Sequence, residues 1–264
     1  MLGHSFGTAG HLLRIGHLTQ HRLSRQINEM TLNDVMAELE RLGSESTKRT
    51  LIRHGAPEPL FGVRIGDMKP LLKKLNGNQK LALQLYDTQN SDAMYLAGLV
   101  ADGAKMTIKE LDRWAKLATW HMIAGCTVAW VAAEHPNAIE IANRWMDSKK
   151  ELIAIAGWST LASVASCIPD NRLPIDTLSY WLDRCTDSIH TSPNRIRYAM
   201  NQFVINVGTY VEPLGTKSIA IAKTIGQLQF DKGNTDCKIP NAETSILKSR
   251  RGETVAPKRK SSRC

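Results

Sequence analysis

The chain consists of amphipathic segments with helical periodicity that follow one another in pairs, with a tryptophan recurring from pair to pair. Between residues 31 and 228 apolar residues recur at helical spacing, and Gly, Pro and Asn separate the segments. The recurring tryptophans are Trp114, Trp145 and Trp181, which are 31 and 36 residues apart. This spacing is typical of two-helix repeats, so the sequence predicts an all-α helical-repeat solenoid.

Four of the six tryptophans fall into two kinds by their position in the helices. Trp114, Trp145 and Trp181 lie near the ends of amphipathic segments, where a large ring packs one repeat against the next. Trp120 begins a helix instead of ending one. We therefore expect the first three to be structural and Trp120 to lie on a working surface.

The net charge of +9 is concentrated in the two terminal segments. Residues 248–264 hold seven Lys and Arg against one Glu, and residues 1–29 hold three Arg against one Glu, which leaves a net charge of +1 for residues 30–247. The basic composition alone does not predict that the folded surface binds nucleic acid. Nucleic-acid binding is predicted only if the cations of residues 30–247 lie together on one face.

Three regions follow from composition. Residues 1–29 are expected to be a disordered N-terminal extension, with a mitochondrial-type presequence as the alternative and Met30 as a candidate natural start. Residues 30–249 form the helical-repeat domain. Residues 250–264 are predicted to be a disordered basic tail, which could be a nuclear address, a phosphate tether or a solubilising segment.

Cysteine use and the motif search favour a cytoplasmic protein without a cofactor. The five cysteines include no CxxC pair, which predicts neither a disulfide framework nor a zinc site, so we expect no metal. No run approaches the ~18 apolar residues that a membrane span requires, so no membrane partner is expected. The GxGxxG, P-loop, HExxH and GxSxG motifs are missing from the sequence.

Three blocks carry a resemblance to a known family. They are LFGVRIGDMKPLLKKL at residues 60–75, AIEIANRWMDSKKELIAIAGW at 138–158, and RIRYAMNQFVINVG at 195–208 with GNTDCKIPNA at 233–242. Together they resemble the AlkD-like DNA alkylation repair family over most of residues 31–249. The resemblance implies a C-shaped stack of HEAT-like helix pairs whose concave face binds duplex DNA. It also implies removal of N3- or N7-alkylated purines without flipping the base into a pocket.

The catalytic residues of the glycosylase members are not matched in this chain. Those members use a Trp-x-x-x-Asp at a helix start, an Arg in the next repeat and a second Trp beyond it. Trp120 matches the first Trp, whereas the carboxylate position falls on Ala124, the Arg position near Ile155 and the second Trp near Gln202. Loss of one well-placed electrostatic stabiliser typically costs about 10²–10³ in rate, so we expect glycosylase activity to be weak or absent.

The preferred interpretation is a monomeric protein that binds duplex DNA, with or without alkylated bases, on its concave face. The candidate DNA contacts share positive charge, hydrogen-bonding capacity or an aromatic ring: Trp120, Arg64, Lys69, Lys73, Lys149, Lys150, Arg195, Arg197, Asn201, Gln202 and Lys238. One alternative is an active alkylpurine glycosylase with a non-standard site formed by Asp236, Cys237 and Lys238. The other is a protein-interaction scaffold without a DNA role, which the body charge of only +1 favours.

Overall fold

The computed structural model describes residues 30–75, 77–231, 235 and 238–263, and every regular element in these ranges is helical. The α-helices are α1 (Leu32–Leu42), α2 (Glu45–Arg53), α3 (Lys69–Leu75), α4 (Gln79–Asp87), α5 (Ser91–Val100), α6 (Ile108–Leu117), α7 (Ala129–Ala133), α8 (Ala138–Met146), α9 (Glu151–Cys167), α10 (Ile175–Ser188), α11 (Asn194–Tyr210), α12 (Gly215–Ile225) and α13 (Ala242–Arg250). A π-helical segment, Ile123–Val128, leads directly into α7. The prediction of an all-α HEAT-like helical-repeat solenoid is confirmed.

The solenoid has an inner and an outer row of helices. The inner row contains α5, the π-helical segment with α7, α9, α11 and α13, and each member packs against the next. The outer row contains α4, α6, α8, α10 and α12, each packed against a member of the inner row. Helices α1 to α3 lie at the N-terminal end, where α1 and α3 contact α5.

Sequence composition explains which helices form the inner row. The outer helices α6 and α8 bury one apolar stripe and leave the opposite face to solvent, as their alternation of apolar and charged residues predicts. The inner helix α9 is apolar around most of its circumference because it packs between α8, α7 and α11. No helix in the described part of the chain is long and apolar enough to cross a membrane.

The recurring tryptophans join neighbouring repeats, as predicted. Trp114 in α6 stacks on Tyr86 of α4 with ring centroids 4.0 Å apart. The indole N–H of Trp145 in α8 donates to the carboxylate of Asp112 in α6 at 2.8 Å. Trp181 in α10 donates to the side-chain oxygen of Asn143 in α8, also at 2.8 Å. The prediction that these three rings are packing anchors is confirmed.

A ladder of ion pairs runs along the outer row. Each of four successive outer helices provides one cation that reaches back to an aspartate of the preceding outer helix or its C-cap, at 2.5–2.8 Å. The pairs are Arg113–Asp87, Arg144–Asp112, Arg184–Asp147 and Lys217–Asp183. The outer face therefore neutralises much of its own positive charge.

The loop between α2 and α3 is held by one buried carboxylate. Asp92, in the first turn of α5, is only 3 % exposed and accepts hydrogen bonds from the backbone N–H groups of Phe61, Gly62 and Val63 at 2.6, 2.9 and 3.0 Å. Gly62 has φ +79°, and a Cβ there would lie 2.4 Å from the backbone nitrogen of Lys48. The FGVR block that carries part of the family resemblance is therefore an anchored turn.

The basic C-terminal segment lies against the protein, which differs from the disordered tail predicted for residues 250–264. It passes the C-terminal ends of α11, α9, α7 and α5 in that order. Arg250 donates to the Gly208 carbonyl, Lys258 to that of Ala165, Ser262 to that of Trp130, and Arg263 to those of Leu99 and Ala101. The physical reason is that the last carbonyls of each helix lack intrahelical donors and attract cations.

Two ion pairs add to these contacts of the C-terminal segment. Lys258 pairs with Asp170 at 2.7 Å, and Arg263 pairs with Glu134. We call residues 250–263 the C-terminal strap. Because it touches the C-terminal ends of four inner helices in turn, those ends all lie at one edge of the inner face, and the helix starts lie at the opposite edge.

Candidate nucleic-acid interface

A cavity of about 560 Å³ opens on the inner face of the solenoid. Its floor is formed by small residues from three inner helices: Gly125, Ser159, Ala162, Ser163 and Ala199. One side is closed by the C-terminal strap, which contributes Arg259 and Ser262, and another by Phe230, Lys238 and Ile239 from the segment that links α12 to α13. We call this space the inner cavity.

The edge of the inner cavity near the helix starts holds a guanidinium, an imidazole and two aromatic rings. Arg195, in the first turn of α11, lies over the ring of Phe230 with its Cζ 5.2 Å from the ring centroid. Its Nη1 is 3.4 Å from Nε2 of His121. The ring of Tyr198 lies 5.5 Å from that of Phe230. This corner offers a cation and π faces side by side.

His121 is held in its neutral form. A guanidinium can only donate hydrogen bonds, so Nε2 of His121 accepts from Arg195 and the imidazole proton resides on Nδ1. Burial, followed by the positive charges of Arg195 and His54, lowers the pKa of His121 from 6.5 to about 4. Of the two side chains in this contact, Arg195 therefore carries the positive charge.

The cations at this edge lack the ion-pair partners that the four cations of the outer ladder have. Lys149 and Lys150 are exposed and immediately precede α9, and Arg195 begins α11 beside them, where its backbone N–H donates to Glu151. None of these three side chains forms an ion pair with a described residue, in contrast to the outer ladder. We call residues 149–150 and 195 the N-terminal rim. The start of α9, which carries no side-chain cap, adds a positive helix dipole there.

The structure brings some of the predicted contact residues together and separates others. Arg195, Gln202 and Lys238 line the inner cavity, and Lys149 and Lys150 lie at the N-terminal rim. Arg64 lines a second hollow of about 270 Å³ together with Trp120. Lys69 and Lys73 lie on the exposed side of α3 and line neither cavity.

Three of the predicted DNA-contact residues pack or form hydrogen bonds within the protein itself. Trp120 is only 5 % exposed and packs its ring edge-to-face with that of His121 at 5.1 Å, because its position at the turn into the π-helical segment points it into the core. Asn201 is 1 % exposed and donates to the carbonyl of Pro240 at 2.9 Å. Arg197 donates to the carbonyls of Gln229 and Ser192. Asn201 and Arg197 thus hold the segment that follows α12.

The positions that the resemblance aligned with catalytic residues lie at or beneath the inner cavity. Ile155 and Gln202 line it, whereas Ala124 is fully buried within the π-helical segment and Gly125 takes the cavity face. π-Helical segments occur often at functional sites. None of the described residues that line the cavity is an aspartate or a glutamate. Asp236 and Cys237, proposed for a non-standard site, lie outside the described residues.

Sequence reasoning missed four residues of the inner cavity. His54, Tyr198, Phe230 and Arg259 all line it, yet they come from the end of α2, the start of α11, the segment after α12 and the C-terminal strap. No spacing in the sequence connects these segments. The one available signal was the compositional change after Leu228, where a polar segment with an aromatic residue ends the helical periodicity.

A comparison with family models identifies the family of this chain. The model of the family described as "DNA alkylation repair enzyme" matches residues 35–221. "Uncharacterized protein Lmo0209" of Listeria monocytogenes serovar 1/2a is 31% identical over 227 residues, which cover 84% of this chain and 98% of that protein. "Uncharacterized protein Lin0241" of Listeria innocua serovar 6a is 30% identical with the same coverage.

A solved structure is similar over most of the chain. It superposes with a TM-score of 0.82 and 40% sequence identity, covering 89% of this chain and all of that one. It is described as representing "a new family of proteins related to the HEAT-like repeat DNA glycosylases with affinity for branched DNA structures". The fold of this chain is therefore that of the HEAT-like repeat proteins related to DNA glycosylases.

Proposed function

Because this chain belongs to the DNA alkylation repair enzyme family, we propose that it is a monomeric DNA-binding protein that holds branched DNA on its inner face. The duplex arms of the branch lie along the N-terminal rim, with glycosylase activity weak or absent. A linear duplex, alkylated or not, uses the same phosphate contacts with lower affinity. The affinity of the structurally similar protein for branched DNA supports a branched ligand.

The observation that carries the proposal is the sorting of charge between the two faces. Four cations of the outer row are paired with aspartates in the ladder, whereas Lys149, Lys150 and Arg195 at the N-terminal rim have no ion-pair partner among the described residues. A body with a net charge near +1 can therefore present a positive inner edge. Unpaired Lys and Arg at such an edge are what phosphate contacts require.

A low glycosylase activity is supported by the lining of the inner cavity. The growing positive charge on a sugar during glycosidic cleavage needs a nearby carboxylate, and the described lining residues supply none. We expect no release of 7-methylguanine from methylated DNA above the background without protein. Robust release would contradict this expectation and would direct attention to Asp236, which lies outside the described residues.

The DNA-binding proposal is tested by electrophoretic shift of a four-way junction and a linear duplex of equal length at several salt concentrations. The double variant Lys149→Ala, Lys150→Ala should bind more weakly, and its slope of log affinity against log salt should fall by about one to two. Lys116→Ala removes a charge from the outer helix α6 and serves as the control.

Four outcomes of that assay decide the matter. Weaker binding by the rim variant with unchanged binding by Lys116→Ala supports the proposal. Equal affinity for the junction and the linear duplex contradicts the preference for branches. Binding without a salt slope contradicts the phosphate contacts, and no binding of either DNA leaves the protein-interaction scaffold as the better interpretation.

A further inference from the structure

We propose that the inner cavity holds a single unpaired nucleotide at the branch point of the bound DNA. This site deepens the function proposed above and rests on it, since the duplex arms must first lie along the N-terminal rim. The inference is carried by three properties of the cavity: its volume, its cations that form no ion pair with a described residue, and its combination of aromatic and amide side chains.

The volume of the cavity is large enough for a ligand of the size of one nucleotide. At about 560 Å³ it lies within the range of about 300–1,000 Å³ that is usual for small-ligand sites. The space exists because the helices that form its floor carry small residues where they face it. A Cβ on Gly125 would already lie 3.2 Å from the Oγ of Ser159. Larger residues at these positions would fill the cavity. A surface that contacts only the phosphates of DNA would not need such a cavity.

The charges at the mouth of the cavity suit the phosphate of such a nucleotide. Arg195 is half-buried, Lys238 and Arg259 are exposed, and none of the three side chains forms an ion pair with a described residue. His121, which contacts Arg195, is neutral and adds no charge but keeps the guanidinium in place. A partly buried cation without a counter-charge favours an anion in contact with it.

The side chains beside these cations suit a base. Tyr198 is 39 % exposed and its ring lies 5.5 Å from that of Phe230, which places two aromatic rings next to Arg195. The side-chain amide of Gln202 lines the same cavity and has no hydrogen-bond partner among the described residues. An amide offers a donor and an acceptor together, the pair of groups that base edges present.

The experiment compares two junctions that differ in one nucleotide. One is a fully paired three-way junction, and the other carries a single unpaired thymidine at the branch point, both titrated with the full chain by fluorescence anisotropy. Stacking of one base is typically worth a five- to hundredfold change in affinity. We expect the junction with the unpaired nucleotide to bind more tightly by a factor in that range.

Variants of the cavity then localise the effect. Gln202→Trp fills the cavity and should bring the ratio of the two affinities close to one, and Gln202→Ala should reduce it several-fold. Thermal melting of both variants checks that they are folded. Lys116→Ala, on the outer face, should keep the ratio of the unmodified protein.

Each result of this comparison has one meaning. Equal affinities of the unmodified protein for the two junctions overturn the inference but leave DNA binding at the rim intact. A ratio that survives Gln202→Trp in a folded variant also overturns it, because the unpaired nucleotide would then lie elsewhere. Failure to bind either junction is the failure of the proposed function itself.

Discussion

The carboxylate of Asp92 provides the sharpest prediction about how the inner face is built. The substitution Asp92→Asn keeps the size of the side chain but removes its charge and replaces one acceptor oxygen by a donor amide. Three backbone N–H groups at 2.6–3.0 Å depend on these oxygens, and the side chain is almost fully buried. At least one N–H loses its acceptor, and the other hydrogen bonds lose their charge assistance.

The magnitude follows from typical values for such losses. A buried N–H without a partner costs about 1–3 kcal/mol, so we expect a loss of about 2–4 kcal/mol in the free energy of unfolding. For a chain of this size that corresponds to a fall of roughly 5–15 °C in Tm. The measurement is thermal unfolding followed by circular dichroism at neutral pH.

The control for Asp92→Asn is the same chemical change at an exposed position. Asp87→Asn breaks the ion pair between Asp87, whose side chain is 43% exposed, and Arg113, whose side chain is 52% exposed. It should lower the free energy of unfolding by no more than about 1 kcal/mol. Equal losses of Tm in the two variants would refute the reasoning, because the buried turn would then not depend on the Asp92 carboxylate. A loss in Asp87→Asn larger than in Asp92→Asn would refute it as well.

Two further predictions concern the edges of the inner face. Because the pKa of His121 is lowered to about 4 in the folded protein, the unfolded chain binds a proton first as the pH falls. Stability should therefore decrease between about pH 6.5 and 4, by at most about 3 kcal/mol. The variant His121→Asn should weaken this decrease. If the variant and the unmodified protein show the same dependence of Tm on pH, the prediction is wrong. The double variant Lys258→Ala, Arg263→Ala should lose about 2–4 kcal/mol of stability because both side chains bond helix-end carbonyls and acids. Its salt slope for DNA binding should match that of the unmodified protein, and a fall of about two would show that these cations contact phosphate instead.

The repeat architecture could be predicted from the sequence because it rests on local periodicity. Apolar spacing, turn residues and the recurrence of Trp114, Trp145 and Trp181 are all properties of neighbouring residues, and the structure places these rings between outer helices. The outer ion-pair ladder is different. Its partners are 26–37 residues apart, and nothing in either partner's local sequence marks the pairing.

The inner cavity could be predicted only in part. Arg195 and Gln202 were recognisable because a charge and an amide interrupt an apolar helix. Trp120 was expected on the working surface from its place at a helix start, but helix position does not fix which way a ring points, and the π-helical segment that follows was not foreseeable. Low complexity and positive charge also suggested disorder for residues 250–264, since composition does not reveal carbonyl acceptors supplied by helices far away in sequence.

The C-terminal strap has a consequence for how the solenoid folds. In repeat proteins each unit contacts only its neighbours, so the ends can unravel independently of the middle. Here Arg263 bonds to the carbonyls of Leu99 and Ala101, more than 160 residues earlier in the chain. This long-range closure ties early and late repeats into one cooperative unit and raises the contact order of the fold. The C-terminal end of α5 thus obtains its last hydrogen bonds only after residue 263 has been synthesised.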